Sequence, residues 1–109
     1  MSHLIITPDA QDDILRFYRF YLETADEKVA WAVVDTIEEQ LNKLAQNPKI
    51  GRIYFDEITQ NDYREFLIFF GKAQRNCYIA LYKYDGETVR ILRIKNARES
   101  GYRPISNID

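Results

Sequence analysis

The spacing of apolar positions changes once along the chain, near Asn47-Pro48, and divides it into a helical first half and a stranded second half. Leu4-Ile5-Ile6 is a short apolar run in front of Thr7-Pro8-Asp9. Thr7 suits a helix cap, Pro8 suits the first helical position, and the acids that follow favour the positive end of the helix dipole. A short strand therefore enters a helix, in which Ile14, Phe17, Tyr18, Tyr21 and Leu22 recur at the spacing of one buried stripe. Thr24-Ala25-Asp26-Glu27 has the spacing of a capping box, and beyond it Ala30, Val33, Val34, Ile37, Leu41 and Leu44 share one face. This second helix is expected to stop before Asn47-Pro48, because proline disfavours the helical conformation in the residue preceding it. Joined by so short a connection, the two helices form an antiparallel hairpin.

Beyond Pro48 the runs Arg52–Ile58, Tyr63–Phe70, Asn76–Lys83 and Thr88–Lys95 are rich in β-branched and aromatic residues and bounded by Gly, Asn and Asp. They predict four strands, with Asp85-Gly86 as a tight turn before the last and Gly71-Lys72 opening the turn before that. The expected fold class is α+β, a single domain over residues 1–109: an N-terminal strand, a helix hairpin, and a four-stranded, mostly antiparallel meander with the hairpin on one face. The first strand is expected to join the same sheet, with a partner that the sequence does not name. The other sheet face is left for function.

Composition narrows the class. A chain of 109 residues, 46% hydrophobic, can build a core of its own. His3 is the only histidine and Cys77 the only cysteine, so an internal disulfide is excluded and neither a metal nor a cofactor is expected. No Gly-rich phosphate loop or nucleophile elbow occurs. Cys77 alternates with Ile79 and Leu81 on what reads as a core face. With no run long enough to span a membrane and no signal peptide, the chain is expected to be soluble and cytoplasmic. The net charge of -2 hides an asymmetry: residues 1–71 hold seven Lys/Arg against thirteen Asp/Glu, and residues 72–108 hold eight against three. The basic end of the chain is where an acidic partner would meet it.

The last strand places Arg93 and Lys95 on one face and Arg90, Leu92 and Ile94 on the other, with Arg98 and Arg103 following. Such guanidinium groups bind phosphate or carboxylate in pairs of hydrogen bonds, or else simply solvate an edge strand. Arg64, entering an apolar strand, would either hold a phosphate at the sheet rim or pair with a carboxylate such as Glu57. Tyr78 and Tyr82 share a strand face and would stack on bases or, more ordinarily, sit half-buried with the hydroxyl outward.

Taken in order, Leu44-Ala45-Gln46-Asn47-Pro48-Lys49-Ile50-Gly51-Arg52, Tyr63-Arg64-Glu65-Phe66, the turn at Asp85-Gly86 and the tail from Ile91 to Tyr102 resemble the RelE/ParE superfamily of bacterial toxins. The resemblance implies a type II toxin, a growth inhibitor neutralised by a cognate antitoxin whose disordered tail folds across it. It also implies one of two mechanisms. RelE-like members cut mRNA in the ribosome, and ParE-like members poison DNA gyrase without cleaving anything themselves.

For RNA cleavage, Arg64 and Arg93 would supply cations and Glu99 or Tyr102 the proton transfers. Asn96, however, stands where many relatives have histidine. A sequence pI near 5.4 also argues against docking on ribosomal RNA. The expectation is therefore gyrase inhibition, with Lys95, Asn96, Arg98 and Arg103 as a docking surface; the alternative is RelE-like mRNA cleavage.

Overall fold

In the computed structural model of the chain, which describes residues 2–56, 61–71 and 76–106, and the backbone alone at 55, 56, 61 and 76, β1 (His3–Ile6) leads into α1 (Pro8–Thr24) and α2 (Glu27–Gln46). Strands β2 (Arg52–Asp56), β3 (Asn61–Phe70), β4 (Asn76–Tyr84) and β5 (Thr88–Asn96) follow. The expected α+β order is present. Residues 57, 58 and 72, which the sequence assigned to a strand end and a turn, lie outside the described residues.

Thr7 caps α1 as expected, its hydroxyl accepting from Ala10 N at 3.3 Å. The same hydroxyl donates to Ile91 O at 2.6 Å, so the cap also pins the helix start to β5. Ala10, Ile14 and Phe17 are buried, and Tyr18 and Tyr21 pack against the core in part. Leu22 departs from the expected stripe and is 45% exposed. It lies about 100° around the helix from Tyr21, off the face that runs through Ala10, Asp13 and Phe17.

The predicted capping box is corrected: the cap lies two residues further on. Thr24 still belongs to α1, its hydroxyl donating back to Phe20 O at 2.7 Å, whereas Asp26 caps α2 through its carboxylate on Val29 N at 2.8 Å. Aspartate caps at least as well as threonine, and only Ala25 and Asp26 separate the helices. All six residues expected on the α2 stripe are buried, from Ala30 to Leu44. Each large one contributes about 1.5–3 kcal/mol by leaving water.

The sheet has five strands in the order β1-β5-β4-β3-β2. β1 is the strand without a predicted partner, and it pairs in parallel with β5 from His3 against Thr88 to Ile6 against Ile91. The other strands form an antiparallel meander. Helix-facing residues Ile68, Tyr78, Ala80, Tyr82, Val89, Ile91 and Ile94 close the main core against the hairpin. Cys77, Ile79 and Leu81, expected on a core face, point to the face without helices, where Leu81 is buried and the other two are half-buried. There Leu81, Tyr63 and Leu92 form a second cluster covered by Tyr102 and Ile105.

A bulge explains the remaining misassignment. Leu81 pairs with Arg93 but Tyr82 pairs with Ile91, which makes Leu92 an extra residue in β5. The alternation therefore shifts, and Leu92 and Ile94 fall into different clusters rather than on one face. On the open face Leu67 and Phe69, opposite Ile79 and Cys77, remain 47% and 45% exposed.

Tyr82 is fully buried. Its hydroxyl donates to Pro48 O at 2.8 Å and accepts from Gly51 N at 3.0 Å, which fastens the helix-to-strand connection to the sheet. A side chain at Gly51 would press on that ring, its Cβ falling 2.6 Å from Tyr82 Cε1. Gly51→Ala is expected to destabilise the fold by about 1–3 kcal/mol in urea denaturation. Gly101→Ala, with nothing within 4 Å, should stay within about 0.5 kcal/mol of the wild type.

Candidate functional site

The pairing of β1 with β5 ends at Ile91, which leaves the next backbone donors of β5 without a neighbouring strand. Asp13 of α1 fills the gap. Its Oδ2 accepts from Ile94 N at 2.8 Å and from Arg93 Nε at 2.9 Å, and its Oδ1 accepts from Arg93 Nη2 at 2.6 Å. Arg16, one turn on, adds a contact to Asp13 at 3.3 Å. Asp13 is 1% exposed and Arg93 6% exposed. The third nitrogen of Arg93, Nη1, donates to Pro104 O at 2.8 Å. Arg93, expected as an anion-binding cation, thus spends its donors inside the protein.

The tail after β5 is held at several points. Glu99 accepts from Arg16 Nη1 at 2.5 Å, and Lys95 Nζ donates to Glu99 O at 3.2 Å while lying 5.2 Å from the centre of the Tyr102 ring. The Tyr102 hydroxyl donates to Glu65 Oε2 at 2.6 Å, and Glu65 also pairs with Arg52 at 3.0 Å. Burial, and then the bond to Glu65, push the Tyr102 phenol well above its usual range. Ser106 closes the series, donating from its backbone N to Asp9 at 2.6 Å and from its hydroxyl at 3.0 Å.

Arg64 occupies a different place. It opposes Tyr82 on the helix-facing side of β3 and donates to Lys49 O at 3.1 Å and Gly51 O at 2.9 Å. The carboxylate suggested for it, Glu57, lies outside the described residues. Tyr102, by contrast, meets Glu65 on the opposite face. Arg64, Arg93, Glu99 and Tyr102 are therefore distributed over three locations and both sheet faces, each with an internal partner.

Of the expected docking residues, Lys95 and Asn96 are tied within the tail, and the two arginines are more available. Arg98 and Arg103 are exposed, and neither guanidinium has a hydrogen bond or ion pair among the described residues. Asn96 folds the chain locally, its Oδ1 accepting from Arg98 N at 3.0 Å. Tyr78, expected as a stacking or half-buried ring, is fully buried. Its hydroxyl donates to the Tyr21 hydroxyl at 3.1 Å, and burial raises its pKa far above the usual phenol range. Between α1 and the start of the tail lies a cavity of about 390 Å³, lined by residues of both, Asn96 and Arg98 among them. Among the described residues no cluster of His, Cys, Asp or Glu could hold a metal, and no helix is long and apolar enough to cross a membrane.

Sequence reasoning missed Asp13, Arg16 and Asp9. A signal existed for Asp13, a charged residue in phase with Ala10 and Phe17 on the buried face.

A helix hairpin on one face of a five-stranded sheet, with the tail after β5 strapped back by hydrogen bonds and an ion pair, defines a small α+β fold. The model of the family described as ParE toxin of type II toxin-antitoxin system, parDE, matches residues 4–101, and the chain belongs to that family. Among solved structures it is similar to a chain of the chromosomal ParDE system from P. aeruginosa, at 25% identity and a TM-score of 0.69, over 88% of this chain and 96% of that one. No curated protein matches its sequence significantly.

Hydrogen bonds from the Ser106 backbone, then from its hydroxyl, and the field of Arg93 outweigh desolvation and hold the Asp9 carboxyl below its ordinary value of 3.8. A depressed pKa contributes stability that is present above the ordinary value and lost as pH falls through the folded one. The Ser106 amide resonance should accordingly titrate with a midpoint below 3.8. In Asp9→Asn that transition should vanish.

Proposed function

We propose that this type II toxin arrests growth in the cytoplasm by binding DNA gyrase through its basic tail. The observation that supports this reading is the dispersal of the groups an RNA-cleaving centre would need. Metal-free cleavage requires a base, an acid and a cation within reach of one phosphate. Here Arg93 is locked to Asp13, Tyr102 to Glu65, Glu99 to Arg16, and Arg64 to backbone carbonyls on the helix side. No imidazole takes part, because Asn96 serves the turn into Arg98.

The same tail suits binding. Arg98 and Arg103 project without internal partners among the described residues, on a segment whose backbone is held by Glu99, Tyr102, Pro104 and Ser106. A pre-ordered basic segment presents its charges to an acidic protein surface with little ordering cost. The acidic first half of the chain disfavours ribosomal RNA, where phosphate contacts supply most of the affinity.

In a supercoiling assay the purified chain should trap cleaved DNA on gyrase. Arg98→Glu combined with Arg103→Glu should raise the concentration required by about tenfold or more. Cutting of mRNA at ribosome-occupied codons in a translating extract, abolished by Arg64→Ala, would refute the gyrase reading.

A further inference from the structure

The cavity between α1 and the tail has a floor and wall of aromatic rings and a basic rim. Phe17 and Tyr78 lie tilted at 51° with 4.7 Å between ring centres, and Phe20 stands edge-on to Tyr21 at 5.1 Å. Phe20 is 57% exposed, although it lines a concave site rather than an isolated surface spot. At the rim Arg98 has no ion pair among the described residues. The Arg16 guanidinium is already engaged by Asp13 and Glu99 and lies over the Phe17 ring at 4.7 Å. The one carboxylate of the lining, Glu99, is already neutralised by Arg16 Nη1. An exposed guanidinium without an internal partner, such as that of Arg98, is open to a carboxylate.

We propose that this cavity receives one large apolar side chain of the antitoxin, flanked by an acidic residue whose carboxylate meets Arg98. Three features select that chemistry. The volume of about 390 Å³ is at the small end of ligand sites and fits one side chain with its flanking groups. The rings favour an apolar or aromatic insert. The unpaired basic rim favours acidic neighbours over basic ones. Resting on the gyrase reading, the same geometry also gives neutralisation a physical form: occupation of the cavity covers Arg98, so antitoxin and target compete for one cation.

The test uses the full chain and two acetylated peptide amides, Glu-Phe-Glu and Lys-Phe-Lys, titrated into labelled protein by nuclear magnetic resonance. The acidic peptide should give saturable shifts at the Phe20 and Asn96 amides and at Arg98. The basic one should bind at least tenfold more weakly. Phe20→Ala and Arg98→Glu should each weaken the acidic peptide by about tenfold or more, and Phe20→Ala should do the same to the cognate antitoxin in calorimetry.

Absent shifts, equal binding of both peptides, or shifts centred on Leu67 and Phe69 of the open sheet face would overturn the proposal. So would unchanged antitoxin affinity in Phe20→Ala, or a loss of gyrase trapping in that variant with antitoxin binding intact, which would assign the cavity to the target. Whether the wild-type chain traps gyrase at all is read separately, so failure of the gyrase reading leaves the peptide result standing.

Discussion

The carboxylate of Asp13 stands in for a missing strand. β1 is only four residues long and releases β5 after Ile91, so the remainder of that edge needs another acceptor. Asp13 supplies one oxygen to the Ile94 amide and divides both between the guanidinium nitrogens of Arg93, out of contact with water. An unsatisfied backbone donor or an unpaired charge in that position would cost several kcal/mol. The helix hairpin is thereby set against the sheet in one register and one orientation. Whether such a pair stabilises the fold more than a well-packed apolar pair of the same volume is a separate matter; its value lies in the geometry it imposes.

From that fixed point the tail is built outward. Arg93, held by Asp13, reaches on to Pro104 O, and Arg16, touching Asp13, holds Glu99. Tyr102 descends onto the open sheet face to meet Glu65 and covers Leu81, Leu92 and Tyr63. The charges left over, Arg98 and Arg103, are displayed on a segment fastened on both sides. A chain whose first half is acidic can thus present a local basic surface.

The helices and strands were legible because each has a clean period, and the caps at Thr7 and Asn47 agree with it. Two features disrupted the reading of faces. The bulge at Leu92 inserts a residue that leaves no mark in a run of apolar side chains, so the alternation beyond it was assigned to the wrong faces. Asp26 outcompeted Thr24 as a cap within a segment where both residues qualify. For the candidate site, the basic character of the tail was legible in the sequence, but the connectivity of its arginines was not. Arg93 reads as a free cation until its partner, 80 positions earlier, is brought beside it by the fold. Long-range pairing of this kind has no local pattern.

The central claim, that Asp13 and Arg93 act as one unit joining α1, β5 and the tail, is most directly tested by a double-mutant cycle with Asp13→Ala and Arg93→Ala in urea denaturation. The account predicts a large cost for either single change and a coupling of about 2–3 kcal/mol, with the double variant little worse than one single variant. Costs that add to within about 0.5 kcal/mol would contradict it.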